Sequence, residues 1–217
     1  MNKLKIRIDY FKSICKHKSW VLYYCKICGI KWRGIKHDLS KFSHIEFSES
    51  VKYFTGVNSS IENCRKEKGY SLAWQHHKGR NDHHYQYWLD NNDGQINPIR
   101  MPYECAVEMI CDYLGTGQVI SIDKKKDFKY TDELKWFINK MDNANIMHKD
   151  TQKFVYLVLR NLQNIDRIPL AKDKKTLKFI LKEKYLNHKS LLDIYDYSIS
   201  LSDEEFELIR KSTEEKL

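Results

Sequence analysis

The chain has 217 residues, 38 Lys and Arg against 29 Asp and Glu for a formal charge of +9, and 41% hydrophobic residues. That length suits one main domain with a single buried core, and 13% aromatic beside 31% charged residues excludes a disordered chain. No run approaches the roughly 18 apolar residues of a spanning helix, and the opening Met1-Asn2-Lys3-Leu4-Lys5 lacks the apolar stretch of a secretory signal, so a cytoplasmic protein with no membrane partner is expected.

With three prolines and eight glycines, most of the chain reads with helical period. Residues 4–28 carry Tyr10, Ile14, Val21 and Tyr24 on one stripe, and Gly29 is a helix stop. After a loop at 30–34, Ser43 and Glu46 form a capping-box pattern ahead of Phe47, Val51 and Phe54. Gly56 ends that helix, and 57–60 is a loop. The next helix is expected over 61–77, broken at Lys78-Gly79-Arg80-Asn81, after which Asp82 caps a short helix through Trp88. Asn91-Asn92-Asp93-Gly94 reads as a turn. Pro102 suits a first helical position and opens a helix through Leu114 that stops near Gly115 or Gly117. Beyond a charged connector at 124–129, Thr131 caps a helix over 132–141, and another runs over 150–166. Residues 174–217 hold two or three more, with Ser202 and Glu205 as a second capping box. No run alternates with period two, and no repeat is visible. The expectation is an all-α, compact multi-helix bundle, with residues 1–150 as its main domain and 151–217 as a C-terminal helical extension packed on that core.

Six cysteines include one CxxC, Cys25-Lys26-Ile27-Cys28, inside a periodic apolar segment. A four-cysteine zinc site needs two such pairs, so these read as core thiols.

Histidine is the informative residue. Four of the nine fall close together, His76, His77, His83 and His84, and a fifth precedes an aspartate directly, His37-Asp38. Imidazole nitrogen with carboxylate oxygen suits zinc, iron and manganese, and a bridging carboxylate lets two ions share a site. The two pairs stand on either side of a Gly-containing break, so they can converge from two helix ends. His17 lies on the stripe of Tyr10, Ile14, Val21 and Tyr24, where a histidine is by default a satisfied core residue unless other ligands meet it. Asp112 sits at the edge of the face formed by Val107, Ile110, Cys111 and Leu114, with Glu108 one turn earlier. It is a solvated neighbour unless this helix packs against the histidines. His44, His148 and His188 are assigned to the surface. The excess of Lys and Arg favours an anionic partner without choosing among nucleic acid, nucleotides and phosphorylated metabolites.

In chain order, His17, His37-Asp38, His76-His77, His83-His84 and Asp112 resemble the HD superfamily of metal-dependent phosphohydrolases, and His37-Asp38-Leu39-Ser40-Lys41 is similar to its H-D-x-x-K segment. The stretch 74–84 is loosely similar to the extra-histidine segment of the subgroup that opens cyclic dinucleotides, with Lys78 where that subgroup has Glu. Three longer stretches, 32–42, 69–81 and 101–112, are similar to a family of bacterial and phage proteins known only as a domain of unknown function, over roughly residues 15–150.

The HD resemblance implies an HD-like fold for the first 150 residues and one or two divalent ions, Fe, Mn or Zn. Asp38 would bridge them, with His17, His37 and Asp112 on one ion and histidines among His76, His77, His83 and His84 on the other. It implies a phosphohydrolase acting on a nucleotide or cyclic (oligo)nucleotide through a metal-activated water, with Asp38 and Lys41 as catalytic residues. Lys41 would hold a phosphate oxygen, with Lys78 and Arg80 as further anion contacts. The expected partner is then a phosphorylated small molecule or nucleotide, with nucleic acid and a second copy of the chain also open. Two other classes stand beside this one: a non-catalytic binder of nucleic acid, of a nucleotide signal or of a host protein, and a diiron oxygenase-type HD-like enzyme.

Overall fold

A computed structural model describes residues 3–144 and 146–217. The described residues form eleven α-helices, short 3-10 and π turns and one small hairpin, so the fold is all-α. The two longest helices, α1 (Lys3–Ile27) and α6 (Tyr103–Asp123), lie against each other. From Cys105 to Gly115, α6 buries every residue except Asp112, which is partly exposed. Both glycines expected to stop this helix lie inside it. A β-carbon on Gly115 would come within 2.8 Å of the Val21 side chain and 3.1 Å of its backbone nitrogen. The bare backbone therefore lets α1 and α6 touch, which outweighs the roughly 1 kcal/mol that glycine costs a helix interior. Pro102 is the residue before the helix, not its first position.

Gly117 leaves room for the Glu133 side chain. Burial, reinforced by the Asp132 charge, pushes the Glu133 carboxyl up to about 7. An acid whose folded pKa is raised stabilises the fold while protonated, and that contribution is lost as pH rises from its unfolded value through about 7. Glu133→Gln is therefore expected to raise the thermal midpoint at pH 8 by the equivalent of about 1–2 kcal/mol. The gain should shrink at pH 5. Equal midpoints at pH 8 for the two proteins would exclude the buried ionisation.

The segment 30–34, expected as a loop, opens a short helix, α2 (Lys31–Lys36). A 3-10 turn (Leu39–Phe42) leads to α3 (His44–Tyr53). Ser43 caps α3 by accepting from the Glu46 amide at 3.4 Å, but the Glu46 carboxylate is used elsewhere, as described below. The helix expected over 61–77 is two: α4 (Ser60–Lys68) stops at Gly69, whose φ of 81° is left-handed, and Ser71 caps α5 (Leu72–Lys78). Asp82 caps nothing: His84 precedes the 3-10 turn Tyr85–Trp88, and the Asp82 carboxylate meets Arg33.

The hairpin was not expected. Strands β1 (Leu89–Asn92) and β2 (Gln95–Pro98) pair antiparallel across Asp93-Gly94, both with positive φ, as a tight two-residue turn requires. Seven of the eight strand residues are exposed, so no alternation existed to be read.

Helix α7 (Tyr130–Ala144) is capped by Asp166, which accepts from the Tyr130 and Thr131 amides at 3.1 and 2.8 Å, so Thr131 lies inside it. Helix α8 (Lys149–Leu162) passes into a 3-10 turn (Gln163–Arg167). The tail carries α9 (Lys174–Ile180), a π turn (Leu181–Tyr185), α10 (His188–Ser200) and α11 (Asp203–Glu214), the last with a reciprocal Ser202–Glu205 capping box. The core runs across the expected boundary at 150. Phe154, Tyr156 and Leu159 of α8 belong to one buried cluster with Tyr24, Ile110 and Phe137, and with Leu191 and Phe206 of the tail. Among the described residues, no helix is long and apolar enough to cross a membrane.

Five of the six cysteines are buried, and Cys28 Sγ lies 3.6 Å from Cys111 Sγ. Burial pushes the Cys105 thiol up to about 12. A thiol reagent at pH 8 should label Cys15 alone in the native protein and all six cysteines after denaturation. Rapid native labelling of a second cysteine would contradict the packing.

Candidate metal centre

Five pieces of backbone converge beside the α1–α6 contact. The stripe of α1 that buries Ile14 and Val21 also carries His17. His37 closes α2, donating its amide to the Arg33 carbonyl at 2.7 Å. Asp38, at the turn into the 3-10 segment, has φ 55°. That left-handed conformation is rare outside glycine and best tolerated by Asn and Asp. Helix α5 supplies His77, the turn after it supplies His83 and His84, and α6 supplies Glu108 and Asp112.

The two oxygens of Asp38 divide these groups into two lobes. On one side, His17 Nε2 and His37 Nε2 lie 3.5 and 3.3 Å from Asp38 Oδ2. His17 Nε2 also stands 3.1 Å from Asp112 Oδ1. On the other side, His77 Nε2 and His83 Nε2 lie 3.2 and 3.5 Å from Asp38 Oδ1. His84 joins that lobe, with every candidate ligand atom of Asp38, His77, His83 and His84 within 4.8 Å of the others.

A second layer aims the rings. Glu108 Oε1 accepts from His37 Nδ1 at 2.9 Å and from His83 Nδ1 at 3.2 Å, while Oε2 takes Arg33 Nε at 2.6 Å. Glu46 Oε2 accepts from His77 Nδ1 at 2.8 Å. With Nδ1 committed to a carboxylate, each of these three rings presents Nε2 to the centre, the arrangement that fixes tautomer and orientation in histidine metal sites. The Lys18 ammonium bonds the His37 carbonyl.

Three of the four buried side-chain atoms that lack a hydrogen-bond partner, among the described residues, lie here: Asp38 Oδ1, His83 Nε2 and His84 Nε2. Leaving such atoms unsatisfied costs about 1–3 kcal/mol each. One cation between them would satisfy all three, so the donor set fits a divalent ion that accepts nitrogen and oxygen.

The electrostatics agree with that fit. Burial acts to raise the Asp38 pKa, but the charges of His37 and Lys41 hold its carboxyl well below the ordinary range. Asp112 is likewise held down against its burial, chiefly by His17. His84 is pushed well below its ordinary value by burial and by His83 and His77, which keeps its ring neutral with a free lone pair. Burial opposes protonation of His37, yet the Asp38 charge and the hydrogen bonds the ring donates to Asp38 and Glu108 raise its pKa to about 10. A bound cation has to displace that proton.

His76 is not brought into this set: its Nδ1 donates to Glu46 Oε1 at 2.6 Å. Lys41 Nζ lies 2.6 Å from Asp38 Oδ2, at the edge of the first lobe. A cavity of about 570 Å³ reaches the centre at His84 and Asp112. Lys78 and Arg80 do not line it; its cations are Lys126, Lys129 and Lys140.

A family model described as a family of unknown function (DUF5662) matches residues 7–161. The chain belongs to this family. The matched span holds every residue of both lobes and both orienting carboxylates, from His17 through Asp112, and ends within α8. Helices α9 to α11 lie beyond it. No curated protein and no solved structure matches the chain.

The residues not singled out from the sequence are Glu46, Arg33 and Lys140. Glu108 carried one signal, its place one turn before Asp112 on α6. Glu46 carried none, because a glutamate three residues after Ser43 already had a capping role to explain it.

Proposed function

We propose that the chain is a metal-dependent phosphohydrolase acting on a nucleotide or cyclic (oligo)nucleotide. The observation that carries this reading is the trio of orphaned, buried atoms, Asp38 Oδ1, His83 Nε2 and His84 Nε2. It is supported by the resemblance of His17, His37-Asp38, His77, His83, His84 and Asp112 to the ligand order of HD phosphohydrolases. His17, His37, Asp38 and Asp112 would hold one ion, and Asp38, His77, His83 and His84 a second. Divalent ions bound there would supply a hydroxide-like nucleophile near neutral pH and neutralise charge on the phosphoryl oxygens.

The chain's own groups prepare that chemistry. Glu108 and Glu46 keep the imidazole Nε2 atoms aimed at the centre, where a bound cation would take the place of the proton on His37. Asp38 presents one oxygen to each lobe, and Lys41, 2.6 Å from Oδ2, balances its charge and stands ready for a phosphate oxygen. Hydrolysis adds water across the ester: the water oxygen bonds to phosphorus, the P–O ester bond breaks, and the released alcohol takes the proton.

The test is elemental analysis of protein purified without a metal-affinity tag. Manganese- or iron-reconstituted protein is then assayed for release of phosphate or nucleotide from nucleoside monophosphates and bis-p-nitrophenyl phosphate. About two equivalents of metal with turnover is the expected result. Failure to take up metal after reconstitution overturns the reading. Metal without hydrolysis also overturns it: oxygen consumption would then point to the oxygenase class, and intact, tightly held nucleotide to a binder.

A further inference from the structure

The cavity of about 570 Å³ meets the centre at one residue of each lobe, Asp112 and His84. It has the size of a site for one small ligand rather than a polymer groove. One wall is built around Lys140 of α7. The Lys140 ammonium donates to the Tyr113 hydroxyl at 2.9 Å and stands 4.7, 5.0 and 5.0 Å from the ring centroids of Tyr113, Trp136 and Tyr85. Among the described residues it forms no ion pair; its partners are ring faces and one hydroxyl. Burial lowers its pKa to about 8, against the opposing charge of Asp112. Trp136 meets Tyr113 edge-on at 4.9 Å and 71°, and 45% of its surface is exposed. An ammonium held by ring faces and a half-exposed indole therefore share one chamber with the candidate metal ligands and with the carboxylates of Asp132 and Glu133.

We propose that this cavity is the substrate site and takes a phosphate ester whose alcohol half ends in a flat aromatic ring, a mononucleotide, with Lys140 contacting the anion and Trp136 stacking on the ring. The proposal rests on the phosphohydrolase reading. It moves substrate recognition from Lys78 and Arg80 on the α5 side to α7. A cation for the charged end and an aromatic face for the base are the two elements that bind single nucleotides without base-specific hydrogen bonds. The indole's exposure means its removal leaves the core intact.

The experiment is calorimetric titration of the manganese-reconstituted full chain with probes that cannot be hydrolysed, a purine and a pyrimidine nucleoside 5′-phosphonate, each against methylphosphonate. At least one nucleoside phosphonate should bind about 10-fold or more tighter than methylphosphonate. Trp136→Ala should reduce that preference to within about 3-fold while leaving methylphosphonate binding unchanged. Lys140→Met, which keeps an aliphatic stem among the rings, should weaken all the phosphonates by about 10-fold with metal content unchanged. No preference for either nucleoside probe, or a preference that survives Trp136→Ala, would overturn the proposal. Selective binding without hydrolysis of the matching mononucleotide would sink the hydrolase reading and leave the pocket. Hydrolysis of ring-less phosphate esters with no nucleoside preference would do the reverse.

Discussion

Replacing Asp38 is expected to empty both lobes at once. In Asp38→Asn the side chain keeps its shape and its tolerance of a φ of 55°, but each lobe loses half of a shared anionic ligand. In Asp38→Ala the ligand is gone, and alanine in the left-handed region adds about 1–2 kcal/mol of backbone strain. Metal content should fall from about two equivalents to a small residue in Asp38→Ala and to one or fewer in Asp38→Asn. Phosphohydrolase activity should drop by about three orders of magnitude or more, since the ions are asked for several kcal/mol of transition-state stabilisation. Far-UV circular dichroism should be unchanged for Asp38→Asn, because Asp38 lies between helices. The pair of variants separates strain from ligand loss. Full activity with full metal in Asp38→Asn would remove Asp38, and the two-lobe centre with it, from the mechanism.

Much of the candidate site was legible because the groups that the fold gathers there are histidines and aspartates, residue types that stand out in a helical sequence. His17 on an apolar stripe and four histidines around a glycine break are visible in one dimension. Whether α6 met them was not, and Asp112 stayed ambiguous until α6 lay against α1. Successive residues on a helix point about 100° apart, so His76 and His77 cannot both face one centre. The neighbours His83 and His84 can, because they lie outside α5 in an irregular turn. The orienting carboxylates were harder, since their role depends on which elements pack together. Glu46 satisfied a local capping rule that the fold overrode in favour of His76 and His77. Lys140 had no signal at all, because its neighbours Tyr85 and Tyr113 come from other parts of the chain. Helices were legible by period. Their stops failed where glycine served packing, as at Gly115, and the hairpin failed because its strands are exposed and carry no pattern.

The largest effect expected outside the ligands themselves belongs to Glu108. One carboxylate holds His37 and His83 by their Nδ1 atoms and neutralises Arg33, so it ties one ring from each lobe to the same helix. His37 and the hydrogen bonds around it keep the Glu108 carboxyl at about 2 despite its burial. Glu108→Ala frees both rings to rotate or change tautomer and leaves Arg33 with Asp82 alone. Loss of an orienting partner typically weakens metal binding about 10–100-fold, and here two rings share it. Breaking a buried pair from one side costs about 3–5 kcal/mol. Arg33 is partly exposed and keeps Asp82, so a destabilisation of about 2 kcal/mol is expected for the metal-free protein. Glu108→Gln tests the orienting role separately. Its amide oxygen still accepts from a ring nitrogen, but the charge opposite Arg33 is lost, so metal affinity should fall less than in Glu108→Ala while stability falls in both. Competitive chelator titration measures the first and urea unfolding of metal-free protein the second. If Glu108→Ala binds metal as tightly as the parent, the rings are held by packing alone, and Glu108 is only a counter-ion for Arg33.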